Sequence, residues 1–137
     1  MPACEIYGVR LAASGLWPSL GRSGGDVTTA QHCRAEAWLD RHGWLAIDPA
    51  DVRKVVLEQK LPANSPPIAA LADTQFGGAE GNWAGYNSVP RIALKGAPQQ
   101  PAFRFLMYPT AMTPSRVIDS VDPANFAYRI SSREVGV

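Results

Sequence analysis

The strongest constraint on the fold is a pair of alternating segments, residues 31–39 and 44–48, separated by a short turn. Successive side chains of a β-strand point to opposite faces of its sheet, so the pattern separates a largely apolar face from a polar one. The first face carries Cys33, Ala35, Ala37, Leu39, Leu45 and Ile47; the second carries His32, Arg34, Glu36, Trp38, Trp44, Ala46 and Asp48. The two segments therefore predict an antiparallel hairpin.

The register of this hairpin decides which side chains meet. Burying Leu45 and Ile47 beside the small residues of the first strand requires a loop with an odd number of residues. A three-residue loop over 41–43 and a five-residue loop over 39–43 both satisfy this, and Gly43 suits the left-handed position that such loops use. Both loops place Asp48 on the face of His32, and the longer one sets the two residues diagonally, with roughly 7–8 Å between their backbones. We therefore predict a hydrogen bond between His32 and Asp48, with Cys33 turned away toward the core.

A histidine held by a carboxylate is the base half of a nucleophilic triad, in which the imidazole removes a proton from a thiol or hydroxyl. The spacing fits equally well an edge histidine followed by an Asp-Pro turn that ends a strand. Neither cysteine is a suitable nucleophile by position. Cys33 follows His32 directly and so faces the other side of the sheet, and Cys4 lies on a strand rather than at a helix N-terminus that could stabilise a thiolate.

Composition excludes several classes of partner. The chain has 137 residues, which is enough for one domain with a core. Its formal net charge of +1 is too small to attract nucleic acid or an anionic membrane electrostatically. The sequence contains no run of 18 apolar residues, which is the length that a membrane-spanning helix requires. Two cysteines do not suggest a disulfide framework. The one cluster of possible metal ligands, His32, Cys33, His42 and Asp48, matches no zinc spacing, so we predict no metal site.

The rest of the chain predicts short strands and one or two short helices. Pro49 and Asp51 suit the first turn of a helix, since proline fits that position and a carboxylate complements the helix dipole. The fold class is therefore α+β, dominated by an antiparallel sheet. The predicted elements are strand 5–12, helix 51–59, helix 67–73, a strand-turn-strand unit over 82–94, a central strand 103–108 and a last strand over 126–130.

The hairpin also carries a family resemblance. His-x-x-Ala-Glu-x-x-Leu over 32–39, a turn, and Gly-Trp-Leu-Ala-Ile-Asp-Pro over 43–49 resemble the histidine and aspartate segments of transglutaminase-like proteins, relatives of the papain-type cysteine peptidases. Residues 1–10 resemble the strand that follows the nucleophile helix of that family. Residues 48–55 and 80–87 resemble a bacterial branch of it. The resemblance covers most of the chain, and the segment from His32 to Asp48 is its specific part.

The resemblance implies a fold and a chemistry. The fold would be the β half of a papain-like domain, with residues 1–137 as its C-terminal portion and the catalytic cysteine on a helix that precedes them. The intact protein would cleave or transfer amide bonds of a peptide or protein substrate, without a cofactor. His32 would be the general base and then the acid, and Asp48 would orient it. The chain alone would be inactive, and the pattern leaves open whether the intact protein hydrolyses or cross-links.

A second interpretation is a non-catalytic binding module. In it, the exposed sheet face with Arg34, Glu36, Trp38 and Trp83 docks a protein partner. Missing amino-terminal helices would also leave the face of Ala35, Leu45 and Ile47 uncovered, which favours self-association unless the loop 14–25 and the helix 51–59 cover it.

Overall fold

The computed structural model describes residues 1–88, 91–95, 102–103, 106–120 and 122–135. Within these ranges the chain is α+β, with an antiparallel sheet and two short helices, which confirms the predicted fold class. Its elements in chain order are β1 (Ala3–Arg10), a 3-10 turn (Pro18–Leu20), β2 (Gly25–Asp26), β3 (Gln31–Leu39), β4 (Gly43–Ile47), α1 (Pro49–Gln59), α2 (Pro66–Thr74), β5 (Trp83–Asn87), β6 (Thr110–Met112), β7 (Val117–Asp119) and β8 (Ser131–Ser132).

The main sheet has four strands in the order β4-β3-β1-β5. Its neighbouring strands are all antiparallel, and β1 and β3 occupy the two central positions. Two smaller strand pairs, β2 with β8 and β6 with β7, lie outside it. The central position of β3 is what places His32 inside the molecule.

The hairpin of β3 and β4 has the register predicted for the longer loop. Trp38 pairs with Trp44 and Ala35 with Ile47. The ladder extends one pair further, to Leu39 and Gly43, so only residues 40–42 connect the strands. Gly43 has a φ of 84°, the left-handed conformation that a glycine adopts without strain.

The helices pack through a small core of their own. Asp48 caps α1, because its carboxylate accepts a hydrogen bond from the backbone N–H of Asp51, and Pro49 occupies the first turn. The buried side chains of this core come from the 3-10 turn, α1 and α2: Leu20, Val55, Ile68 and Leu71. No helix within the described ranges is long and apolar enough to cross a membrane.

Three predicted strands were wrong where the structure describes them. Phe103 makes one isolated bridge with Ile92, residues 106–109 form no strand, and residues 104–105 lie outside the described ranges. Residues 91–95, predicted as the second strand of a hairpin, contribute only that bridge, and residues 89–90 lie outside the described ranges. Residues 126–130 are also irregular, and β8 follows them. The two central positions of the main sheet belong to β1 and β3, and the described residues of this run, 103 and 106–108, are not part of that sheet.

The two faces of the sheet are covered unequally. Helix α1 lies against the face of His32, since Asp51 in its first turn contacts both Arg10 and His32. On the other face, Ala35, Leu45 and Ile47 are only half-buried. The alternative in which helix 51–59 covers this face is therefore not confirmed, since α1 lies against the face of His32.

Candidate functional site

His32 and Asp48 meet as the alternation predicted. The Nε2 atom of His32 lies 2.7 Å from Oδ2 of Asp48. The histidine side chain is 13% exposed and the aspartate side chain 2%. A carboxylate can only accept, so this hydrogen bond fixes the ring proton on Nε2. The remaining nitrogen, Nδ1, has no hydrogen-bond partner among the described residues.

Asp48 is held from three sides. Its Oδ2 also accepts a hydrogen bond from Nε of Arg34 at 3.2 Å, and its Oδ1 accepts the backbone N–H of Asp51 at 3.0 Å. Burial opposes ionisation of this carboxyl. The hydrogen bond and charge of His32, the Asp51 N–H and the Arg34 guanidinium outweigh it, and the pKa of Asp48 lies below its usual range. Asp48 therefore remains a carboxylate in a fixed orientation at neutral pH.

A second carboxylate stands beside the first. Oδ1 of Asp51 lies 3.5 Å from Nε2 of His32. Arg10, on the neighbouring strand β1, donates hydrogen bonds to both carboxylate oxygens of Asp51, one of them at 3.2 Å, and to the carbonyl of Leu20. Arg10 and Asp51 are both almost fully buried. Sequence reasoning placed Asp51 in the helix N-terminus but missed its contact with His32, and no local pattern marks Arg10 as its partner.

The cluster is balanced in charge. His32, Asp48 and Asp51 present ligand atoms within 4.8 Å of one another, close enough to reach a single cation. Each carboxylate, however, already faces a buried guanidinium: Arg34 contacts Asp48 and Arg10 contacts Asp51. A cation placed there would meet two positive charges at short range, so the donor set fits an ion-pair network around the imidazole better than a metal.

Trp83 closes the site on the β5 side. Its indole N–H donates to the carbonyl of His32 at 3.2 Å, and the guanidinium of Arg34 lies 4.7 Å from its ring centroid. Gly8 pairs directly with His32, and a Cβ at Gly8 would collide with the Trp83 ring. These contacts favour packing around Arg34 as the role of the Trp83 ring.

Neither cysteine contacts His32. Cys4 pairs with Glu36, four residues along β3 from His32, which corresponds to roughly 13 Å at the rise of an antiparallel strand. Burial raises the pKa of the Cys4 thiol, and the nearby Glu36 carboxylate raises it further. Cys33 pairs with Tyr7 on the opposite face, as predicted, although it is half-buried rather than fully in the core. Both cysteines are thus unsuited to be the nucleophile.

The lowered pKa of Asp48 predicts a loss of stability in acid. Its contribution to the free energy of unfolding is fully present above the unfolded-state pKa of about 4, and is lost as the pH falls through the lower folded-state pKa. Asp48→Asn is therefore expected to flatten the fall in stability below about pH 4. The exposed Asp40→Asn serves as the control, and urea unfolding between pH 2 and 7 measures both. An unchanged slope in Asp48→Asn would contradict the prediction.

Comparisons with known proteins give one relative and no family. No family model and no solved structure matches the chain. A protein of Haemophilus influenzae that is described as an uncharacterized protein is 33% identical over 144 residues. The match covers 98% of this chain and 39% of that relative, so the chain spans well under half the length of the protein it resembles.

Proposed function

We propose that the chain carries the histidine and the carboxylate of a transglutaminase-like site that acts on amide bonds through a cysteine nucleophile. The observation that supports this is the 2.7 Å contact of His32 Nε2 with Asp48, which leaves Nδ1 as the only ring nitrogen able to take a proton. In this proposal the cysteine lies on a segment outside these 137 residues, since Cys4 and Cys33 are both out of reach.

Each residue of the cluster has a role in this proposal. Nδ1 of His32 takes the proton of the incoming thiol, and the thiolate attacks the amide carbonyl of a peptide or protein substrate. The imidazolium then returns the proton to the departing amine. Asp48 holds the ring and stabilises its positive charge, while Arg34 and the Asp51 N–H keep Asp48 from turning away. Water or a second amine would complete the reaction, giving hydrolysis or cross-linking.

The 137-residue chain by itself is expected to show no amide turnover. A nucleophile divides amide cleavage into two easier steps, and neither cysteine of this chain lies within reach of His32 to serve as one. The measurement is incorporation of a fluorescent primary amine into casein, together with peptide release. Turnover that disappears in Cys4→Ala would show that Cys4 is the nucleophile and would overturn the proposal.

The proposal is tested directly by reading and expressing the gene sequence upstream of this chain. The genomic sequence upstream of the Met1 codon is read for an in-frame cysteine followed by an apolar helical pattern. The longer chain, once expressed, is expected to turn over amides and to lose that activity when the upstream cysteine is replaced by alanine. An open reading frame without such a cysteine would contradict the proposal and favour a binding module.

A binding module remains the second proposal, and it rests on one pair of aromatic residues. Trp38 and Trp44 are 39% and 48% exposed and pack edge to face with their centroids 5.8 Å apart. Of the other residues in the predicted docking face, Arg34 is buried beneath Trp83. A protein partner would therefore bind at the Trp38–Trp44 pair. Self-association through the half-buried face of Ala35 and Ile47 also remains a proposal, which sizing chromatography tests.

A further inference from the structure

The main sheet has two outer strands, β4 and β5, and their outer edges differ. Beyond β4, the backbone N–H of Gly77 donates to the carbonyl of Ala46 at 2.7 Å, and the N–H of Asp48 donates to the carbonyl of Gln75 at 3.1 Å. This edge is therefore covered by residues 75–77, which follow α2. No strand within the described ranges pairs with the outer edge of β5.

Two residues of β5 turn their backbone groups toward this open edge. Leu11 donates its N–H to the carbonyl of Asn82 at 2.7 Å, and Ala84 is paired with β1. Since the backbone groups of an antiparallel strand alternate between its two sides, Asn82 and Ala84 face β1, and Trp83 and Gly85 face outward. Outside the ladder with β1, no hydrogen bond from a described residue reaches the backbone N–H or C=O of Trp83 or Gly85.

Residues 83–85 carry none of the features that normally protect an open edge. An exposed strand edge is a template for pairing with another chain, and lysines, other charges, prolines or bulges usually block it. The sequence of β5 is Trp-Ala-Gly-Tyr-Asn, without a charge or a proline. The register shift in its pairing with β1 falls after Gly85. The outer backbone groups of residues 83–85 are therefore open to a second extended chain.

A groove beside this edge carries one charged side chain. Its volume is about 660 Å³, and its lining includes Gly85 and Tyr86 of β5, Ile6 of β1 and Arg91. Ile6 belongs to the same face of the sheet as His32. Arg91 is exposed and makes no ion pair with any residue that the structure describes. A chain paired along β5 would project every second side chain toward this face, and the groove suits an anionic one.

We propose that the outer edge of β5 binds an extended peptide segment of a protein partner, as an added strand that places an acidic side chain in the groove beside Arg91. Main-chain hydrogen bonds to Trp83 and Gly85 hold the segment, and Arg91 selects the acidic residue. The alternating N–H and C=O groups of an open edge are complementary to the backbone of an extended peptide. The added strand lies three strand spacings from β3, roughly 14 Å, so its binding does not involve His32 and stands apart from the proposed function.

The experiment uses the isotope-labelled 137-residue chain and the peptide acetyl-Thr-Val-Glu-Val-Thr-amide at low salt. In the free chain, the amides of Trp83 and Gly85 are expected to exchange with solvent faster than that of Ala84, which faces β1. With the peptide at ten times its Kd, exchange at Trp83 and Gly85 is expected to slow roughly tenfold, because only the unbound chain exchanges. Slow exchange at both positions in the free chain would show that a second copy or another segment already covers the edge. That result, or exchange that the peptide does not change, would overturn the proposal.

Methylation of backbone nitrogens in the peptide tests the pairing itself. Only every second peptide residue turns its N–H toward the edge. One variant is methylated at both valines, and its matched control is methylated at the glutamate and the last threonine. One of these two peptides is expected to bind about tenfold or more weakly, and the other is expected to keep its affinity. Equal affinities for the two methylated peptides would refute strand addition.

Arg91→Gln tests the charge contact in the groove. It is expected to weaken binding of the glutamate peptide roughly threefold, since the ion pair is exposed, and to leave binding of the corresponding glutamine peptide unchanged. The exposed Arg53→Gln, on α1, is the matched control and is expected to change neither. An Arg91→Gln variant that binds the glutamate peptide as well as the native chain does, or that weakens both peptides equally, would refute the role of Arg91.

Discussion

Under the transglutaminase-like proposal, replacing His32 with alanine in the longer chain read from the gene is expected to reduce amide turnover by a factor of roughly 10⁴ to 10⁶. Without the imidazole, no group adjoining the reacting thiol takes its proton or returns one to the departing amine. Asp48→Asn keeps the shape of the side chain but can donate to Nε2, which would favour the wrong tautomer, and a loss of roughly 10⁴ is expected. The rate of amine incorporation into casein at saturating substrate measures both.

His42→Ala is the matched control, because it removes the chain's other histidine from the exposed loop of the same hairpin. It is expected to leave turnover unchanged. The stability of each variant is measured by urea unfolding, so that a loss of activity is not mistaken for a loss of fold. Full activity in His32→Ala would refute the assignment of the general base, whatever the identity of the nucleophile.

The hairpin and its central contact could be predicted because they are local. Alternation assigned each side chain of β3 and β4 to a face, and burial of Leu45 and Ile47 then allowed only registers in which Asp48 shares the face of His32. Gly43 supplied the turn. Sequence left open only the length of the loop, because both odd-numbered loops bury the same side chains.

The remaining contacts of the site depend on tertiary placement. Arg10 reaches Asp51 because β1 pairs with β3 and α1 folds back over the same face, and alternation says nothing about which face a following helix will cover. The strand predicted at 103–108 fails for a related reason, since an apolar run is consistent with a buried strand but does not supply a free neighbouring edge. The buried amide of Gln75, which has no hydrogen-bond partner among the described residues, leaves no mark in the sequence, because an exposed glutamine after a helix would look the same.

Arg10→Met is expected to lower the free energy of unfolding by about 3–5 kcal/mol, because it leaves the carboxylate of Asp51 buried without its cation. The carbonyl of Leu20 adds little to this loss, since Asn82 donates to it as well, at 3.2 Å. Urea unfolding at pH 7 gives the value. The same substitution in an exposed pair, Arg116→Met opposite Asp122, is the control and is expected to cost about 1 kcal/mol or less.

The double variant Arg10→Met with Asp51→Leu tests whether the loss comes from the unpaired charge. Removing both partners leaves no buried charge uncompensated, so much of the stability is expected to return. His32 is the other cationic partner within reach of Asp51, with its Nε2 3.5 Å from Oδ1. In Arg10→Met alone the ring would therefore be drawn from Asp48 toward Asp51, and turnover of the longer chain would fall as well. If the double variant is no more stable than Arg10→Met, Arg10 acts by packing rather than by compensating the charge of Asp51. If Arg10→Met leaves turnover of the longer chain unchanged, Arg10 does not keep His32 on Asp48.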